Sequence, residues 1–434
     1  MTKNKSVCKN IIFRFVFIML SACIMFSAIT FLPVKAVDAT GISYIIYESD
    51  TKQTLEKQNI DAAADCSLLS RLMTCLLIYE NPAVSVTDYV TPSEDSISVS
   101  GRYSLFATNQ YMIDHLLKSV ILCNADNAAR VLAEKINPNK EYFVSLMNQK
   151  AIEIGMKNTY FTNPDGTPDE LQRTTVYDMS LFWSYAMSNI QFRNAAANPA
   201  AHIWGGTAVL NECKLVANNT FANAALTAGA NFEYNDVTSL STTMFYFVSN
   251  QTDNTPAVKL TLVISGISAE SSFNSGKNFI NNIFANYVKT TIVKKSDTII
   301  TTTVGKSELV LKANENCYCM VPTDVTDYVE NISYNITTNN TDDSLPNNAL
   351  TFDDLDAPIE EGSTIGTVHF LLKDGSVHSV SMVAGNSVHS DYKAINFFYK
   401  IIQENTDIFF LISVLVIVEI FLLIAIIVNK LRKI

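Results

Sequence analysis

Two long apolar runs frame this chain, and shorter patterned segments fill the interval between them. The first run, Phe15 to Leu32, follows Lys3, Lys5, Lys9 and Arg14. Val34-Lys35-Ala36 then places small side chains at the −3 and −1 positions of a cleavage site. A basic start, an apolar middle and a small-residue exit predict a secretory signal peptide over residues 1–36. An uncleaved anchor is the alternative. A lipoprotein box at Leu20-Ser21-Ala22-Cys23 is disfavoured because the apolar run continues past the cysteine. The second run, Ile408 to Val428, is about 21 residues long and predicts a transmembrane helix at 407–429. Asn429-Lys430-Leu431-Arg432-Lys433 follows, which places 430–434 in the cytoplasm and the main body outside. Glu419 lies mid-span, where a charge is costly. It is expected either to contact another membrane helix or to be protonated or locally hydrated.

Between these runs the periodicity alternates between strand and helix. Gly41 to Tyr47 reads as a strand, Glu48 to Thr51 as a turn, and Gln53 to Glu56 as the start of a return strand. A helix opened by Cys66-Ser67 stays apolar through Ile78. Val86 to Ser100 carries strand signals within a polar stretch. Apolar residues at helical spacing (Tyr111, Met112, Leu116, Val120) predict a helix over Gln110 to Leu122. Further helices are expected near Asn127 to Ile136 and from Lys140 to Ile154, the latter ended by Gly155. Asn163-Pro164-Asp165-Gly166 is a tight turn, and Thr174 or Thr175 caps the helix that follows. Ser271 to Val288 reads as a helix, and Val293 to Ala384 as strands only. Tyr392 to Ile402 is amphipathic, so 389–406 forms a juxtamembrane segment or an ordinary linker helix.

Charge and cysteine usage narrow the function classes. The 434-residue chain has a formal net charge of −11, and its basic residues cluster only at the ends, which argues against a nucleic-acid partner. Cys66, Cys75, Cys123, Cys213, Cys317 and Cys319 remain after cleavage and fit no disulfide framework, zinc site or C-x-x-C motif. Cys317 and Cys319 share one strand face. No cofactor or metal is implied.

The most specific text is Gly155-Met156-Lys157-Asn158-Thr159, followed by Asn163-Pro164 with Gly166 and by the Thr174-Thr175 to Asp178 helix start. With Arg71-Leu72-Met73-Thr74 and Met147-Asn148, these motifs resemble the D-alanyl-D-alanine carboxypeptidases, the low-molecular-mass penicillin-binding serine peptidases. The resemblance runs from about Gly41 to Ala384. It implies an α/β (α+β) penicillin-binding or β-lactamase-like serine transpeptidase domain at 40–288. A small all-β domain at 289–388 and one C-terminal transmembrane helix follow. Leu260 to Gly266 looks like the edge strand after the active-site strand. The family acts on the peptide stems of cell-wall peptidoglycan, so those stems, or cell-wall and membrane proteins, are the expected partners.

The resemblance also implies three motifs, and each is altered here. A Ser-x-x-Lys pair would share one helix face, with the amine taking the hydroxyl proton. Leu68 and Arg71 stand there; leucine has no nucleophile, and arginine stays protonated to about pH 12. Ser-x-Asn falls on Asn124-Ala125-Asp126, where Asn124 cannot relay a proton and Asp126 lacks an amide donor; a one-residue shift brings Asn127 to the motif's Asn but puts Ala125 at its Ser. No Lys-Thr-Gly or Lys-Ser-Gly occurs; Leu226-Thr227-Ala228-Gly229 is a poor echo, and Lys214 is the only basic residue from Asn211 to Tyr246. Gln172 replaces a usual histidine. Three readings follow: a catalytically degenerate pseudoenzyme that binds peptidoglycan or partners; an active carboxypeptidase using a shifted serine, Ser67 or Ser70; or a structural protein of cell-envelope assembly.

Overall fold

The computed structural model describes residues 41–98, 101–217, 224–233, 240–250, 256–337, 351–389, 415, 417–422 and 424. The signal-peptide expectation and most of the Ile408 to Val428 run lie outside them, as does the juxtamembrane segment beyond residue 389. No helix among the described residues is long and apolar enough to cross a membrane. The chain divides into two units, the first comprising residues up to Tyr47, Thr54–Asn250 and Lys259–Ile280.

In the first unit, β1 (Ser43–Glu48), β2 (Gln53–Gln58), β3 (Ala224–Glu233), β4 (Ser241–Ser249) and β5 (Lys259–Ile267) form one sheet in the order β2-β1-β5-β4-β3. β5 is therefore central, which corrects the edge assignment for Leu260 to Gly266. Its residues are buried on both faces, Thr261 and Ser265 among them, as a central strand requires. The true edge beside β4 is β3, antiparallel to it with Gly229 opposite Phe245.

The two sheet faces pack against different helices. Met244, Tyr246, Val263, Ala228 and Ala230 join the main core, built also from α1 (Ser67–Glu80), α2 (Ile113–Cys123), α3 (Asp126–Ile136), α4 (Lys140–Ile154), α5 (Val176–Ala186) and α6 (Ile190–Ala196). On the other face, Phe245 meets Phe273 of α7 (Ala269–Asn286) edge-on, with ring centroids 6.3 Å apart. Gly276 allows that approach, since a Cβ there would lie 2.8 Å from the Phe245 ring.

Local chemistry explains the helix ends. Asn139 caps α4 by accepting from the Tyr142 amide at 2.6 Å, and Gly155 ends it in the left-handed region at φ 91°. Thr175 caps α5 through the Asp178 amide. Among the described residues of the Val86 to Ser100 stretch, the strand signals yield only Tyr89–Val90, paired with Tyr111–Met112; turns occupy most of the rest. The six cysteines outside the first forty residues are buried free thiols.

The second unit takes residues 48–53, 251–258 and those from Asn281 onward. β7 (Thr298–Val304), β8 (Ser307–Ala313), β10 (Val329–Ile336), β11 (Thr364–Leu372) and β12 (Val377–Ala384) form a sheet in the order β7-β8-β12-β11-β10. β6 (Tyr287–Val293) and β9 (Cys317–Pro322) pair separately. Phe352–Asp354 adds one short 3-10 turn to what reads as strands alone. Cys317 and Cys319 are both buried but feed different apolar clusters.

His378 on β12 gives this unit a pH dependence. Burial pushes its imidazole below the ordinary value, while Asp374 and Glu48 pull the other way. A depressed imidazole stabilises the fold in its neutral form. That contribution is complete above about pH 6.5 and is lost as pH falls below it. The unfolding midpoint of the second unit is expected to drop as pH falls below about 6.5, and His378→Gln should flatten the slope. An equal slope in the variant would refute this role.

Candidate active site

α1 enters the core at its first residue. The N-cap Cys66 makes no side-chain capping bond, and Asp65, just before it, accepts the Ser67 amide at 2.7 Å. Every residue from Ser67 to Leu76 is buried, which makes α1 the central helix of the first unit. Leu68 is 1 % exposed within the main apolar cluster. Ser70 is fully buried; its hydroxyl donates to Gln172 Oε1 at 3.3 Å and lies 3.8 Å from Cys66 Sγ. Burial pushes the Cys66 thiol up, which keeps it protonated and poorly nucleophilic. Among the described residues, neither Ser67 nor Ser70 has a lysine or histidine at hydrogen-bonding distance.

Arg71 projects one turn on and is 7 % exposed. Its Nε donates to the Asp165 carbonyl at 2.7 Å, and its guanidinium carbon sits 4.5 Å from the centre of the Phe232 ring. Nη1 is buried without a partner. Burial pushes this guanidinium down, and Asp126, Asp165, Asp65 and Glu212 work against that. Thr74 donates to the Pro164 carbonyl at 2.7 Å. The Asn163 to Gly166 turn is thus held directly on α1. Gly166 is required there: its φ is 72°, and a Cβ would lie 2.3 Å from the Ser67 carbonyl oxygen.

The α2–α3 corner supplies the next group. Asn124 ends α2 in the left-handed region at φ 57°, a conformation asparagine tolerates. Its Nδ2 donates to Glu212 Oε2 at 2.6 Å and to the Asn231 carbonyl at 2.5 Å, while Oδ1 has no partner. Glu212 is ion-paired with Arg102. Asp126 turns elsewhere: it accepts the Arg102 amide at 3.2 Å and lies 3.8 Å from Arg130. Asn127 donates to the Tyr103 carbonyl.

β3 closes the arrangement. Arg71 and Asn124 meet it at consecutive residues, Phe232 and Asn231. Leu226 to Gly229 lies earlier on the same strand, which contains no lysine or arginine. The structure therefore brings Arg71 and Asn124 to one strand end, buries Leu68 behind them, and directs Asp126 toward Arg102 and Arg130. Phe232, Asn231 and Glu212 are participants that no motif in the sequence marks. No group of three His, Cys, Asp or Glu residues among those described could hold a metal ion.

A sheet packed against a central buried helix, with a β-domain after it in the chain, is the fold of penicillin-binding-protein-like α/β domains. Penicillin binding protein 5 from Haemophilus influenzae shares this fold, with a TM-score of 0.64 at 19% identity over 80% of this chain and 97% of that one. The family model for D-alanyl-D-alanine carboxypeptidases matches residues 32–230, and that for the C-terminal domain of penicillin-binding protein 5 matches 287–390. The chain belongs to the D-alanyl-D-alanine carboxypeptidase family. Its similarity to the carboxypeptidase DacF of Bacillus subtilis is 32% identity, over 32% of this chain and 37% of the relative. With the carboxypeptidase DacC of Escherichia coli it is 23% identity, over 89% of this chain and 94% of the relative.

Proposed function

We propose that this protein is a membrane-anchored, wall-facing member of the family that no longer hydrolyses D-Ala-D-Ala peptides. It binds peptidoglycan stem peptides or partner proteins instead. The observation that carries this reading is the pairing at the start of α1: Leu68 lies inside the apolar core, and Arg71 is committed to Asp165 and Phe232. A leucine offers no electron pair for acylation, and a guanidinium cannot act as the base. Asn124 and a β3 strand free of lysine support the same conclusion. The anchor rests on the apolar run Ile408 to Val428 and the basic residues after it.

Fluorescent penicillin on the full-length protein is the test, since a penicillin acylates the family's nucleophile whatever the natural substrate. The expected result is no covalent label on protein that melts cooperatively. A stable adduct would overturn the reading, and mass spectrometry of the labelled peptide would show whether Ser67 or Ser70 had taken over.

A further inference from the structure

Beside the turn that Arg71 and Thr74 hold, the first unit has a cavity of about 250 Å³, with Pro164 and Asp165 in its wall. Arg130 and Glu134 project into it from one face of α3, at i and i+4. The start of α4 contributes Lys140 and the buried Phe143, and the stretch between Val90 and Tyr111, before α2, contributes Asp95. Charges of both signs thus line one small space.

These charges fall into two groups. Arg130 and Asp165 are paired with each other, and Arg130 also reaches the Ser96 carbonyl at 3.4 Å. That pair fixes α3 to the turn after Asn163, and Asp126 lies 3.8 Å from the same guanidinium, so Arg130 is already compensated. Asp95, Glu134 and Lys140 have no ion-pair partner among the described residues. Glu134 accepts the Ser93 amide at 3.2 Å through Oε2, which leaves Oε1 available. Phe143 adds an apolar surface to the lining.

We propose that this cavity binds a small zwitterion of amino-acid or dipeptide size, its ammonium on Glu134 and Asp95 and its carboxylate on Lys140. A singly charged ligand would satisfy one end and meet an unmatched charge at the other. A zwitterion satisfies both ends with charge-assisted hydrogen bonds, the stronger kind. The volume agrees with a small ligand, because pockets for larger organic ligands run about 300–1,000 Å³. This inference goes beyond the degenerate α1 site and does not depend on it.

Titration of the full-length protein with L-alanyl-L-alanine, followed by calorimetry, tests the assignment. The dipeptide is expected to bind, and its N-acetyl and C-terminal amide forms to bind at least about tenfold more weakly. Glu134→Gln keeps an acceptor for the Ser93 amide, and Lys140 is exposed, so Glu134→Gln and Lys140→Gln should both fold; each should weaken binding about tenfold or more. No binding by wild type, equal affinity for the capped forms, or wild-type affinity in both variants would each overturn it. Penicillin labelling reads the α1 site alone, so failure of one proposal is separable from failure of the other.

Discussion

Lys289→Met is expected to unfold the second unit under conditions where the wild type is stable. Lys289 is 3 % exposed, and its ammonium donates to Glu48 at 2.8 Å, Asp50 at 2.8 Å and the Ala257 carbonyl at 3.0 Å. Glu48 has no exposed surface and also accepts the Asp50 and Thr51 amides at 3.0 and 2.7 Å. Removing the ammonium takes away a cation paired with a buried carboxylate, and breaking such a pair costs about 3–5 kcal/mol. That is a large share of a domain stability of about 5–15 kcal/mol. Asp50 keeps water on its side chain, so Glu48 bears most of the penalty. Lys289→Met with Glu48→Gln should recover much of the loss, since glutamine still accepts from Thr51 and carries no charge. Urea unfolding of the full-length protein checks both. A wild-type midpoint in the single variant would mean that solvent reaches Glu48 and the ion pair is not a buried one.

Local chemistry in the sequence located most of the elements. Lys140 to Ile154 is a helix over that very range, because Asn139 and Gly155 mark its ends by side-chain and backbone chemistry that operates within a few residues. The Asn163 to Gly166 turn was equally legible. What the turn touches was not, since Arg71 reaches Asp165 across 94 residues of chain. The same limit hid Glu212 and Asn231, which meet Asn124 from 88 and 107 residues away. β5 was misplaced for a different reason: its apolar run marks burial on both faces but does not name its neighbours. Leu68, Arg71 and Asn124 are the positions that the family resemblance singles out in the sequence. It did not show that Arg71 is stacked on Phe232 and tied to the turn, which is a fact of packing.

That packing makes a strong prediction about restoring the family's first motif. Leu68→Ser with Arg71→Lys is expected to destabilise the first unit without producing a penicillin-reactive serine. Leucine truncation in a core costs about 2–5 kcal/mol, and the new hydroxyl needs a partner that the apolar cluster does not supply. The Arg71→Lys change forfeits the planar contact on Phe232 and the Nε bond to the Asp165 carbonyl. The two changes share one turn of α1, so their costs need not add; a combined loss of at least about 3 kcal/mol is the expectation. Even a folded double variant would lack a hydroxyl at Asn124 and a lysine on β3. A thermal melt beside a labelling gel separates the outcomes. A lowered melting temperature with no label agrees with a core that has been rebuilt around Leu68 and Arg71. Label on the serine introduced by Leu68→Ser, at wild-type stability, would mean that the scaffold still holds a complete acylation site, with the two α1 residues as its only defect.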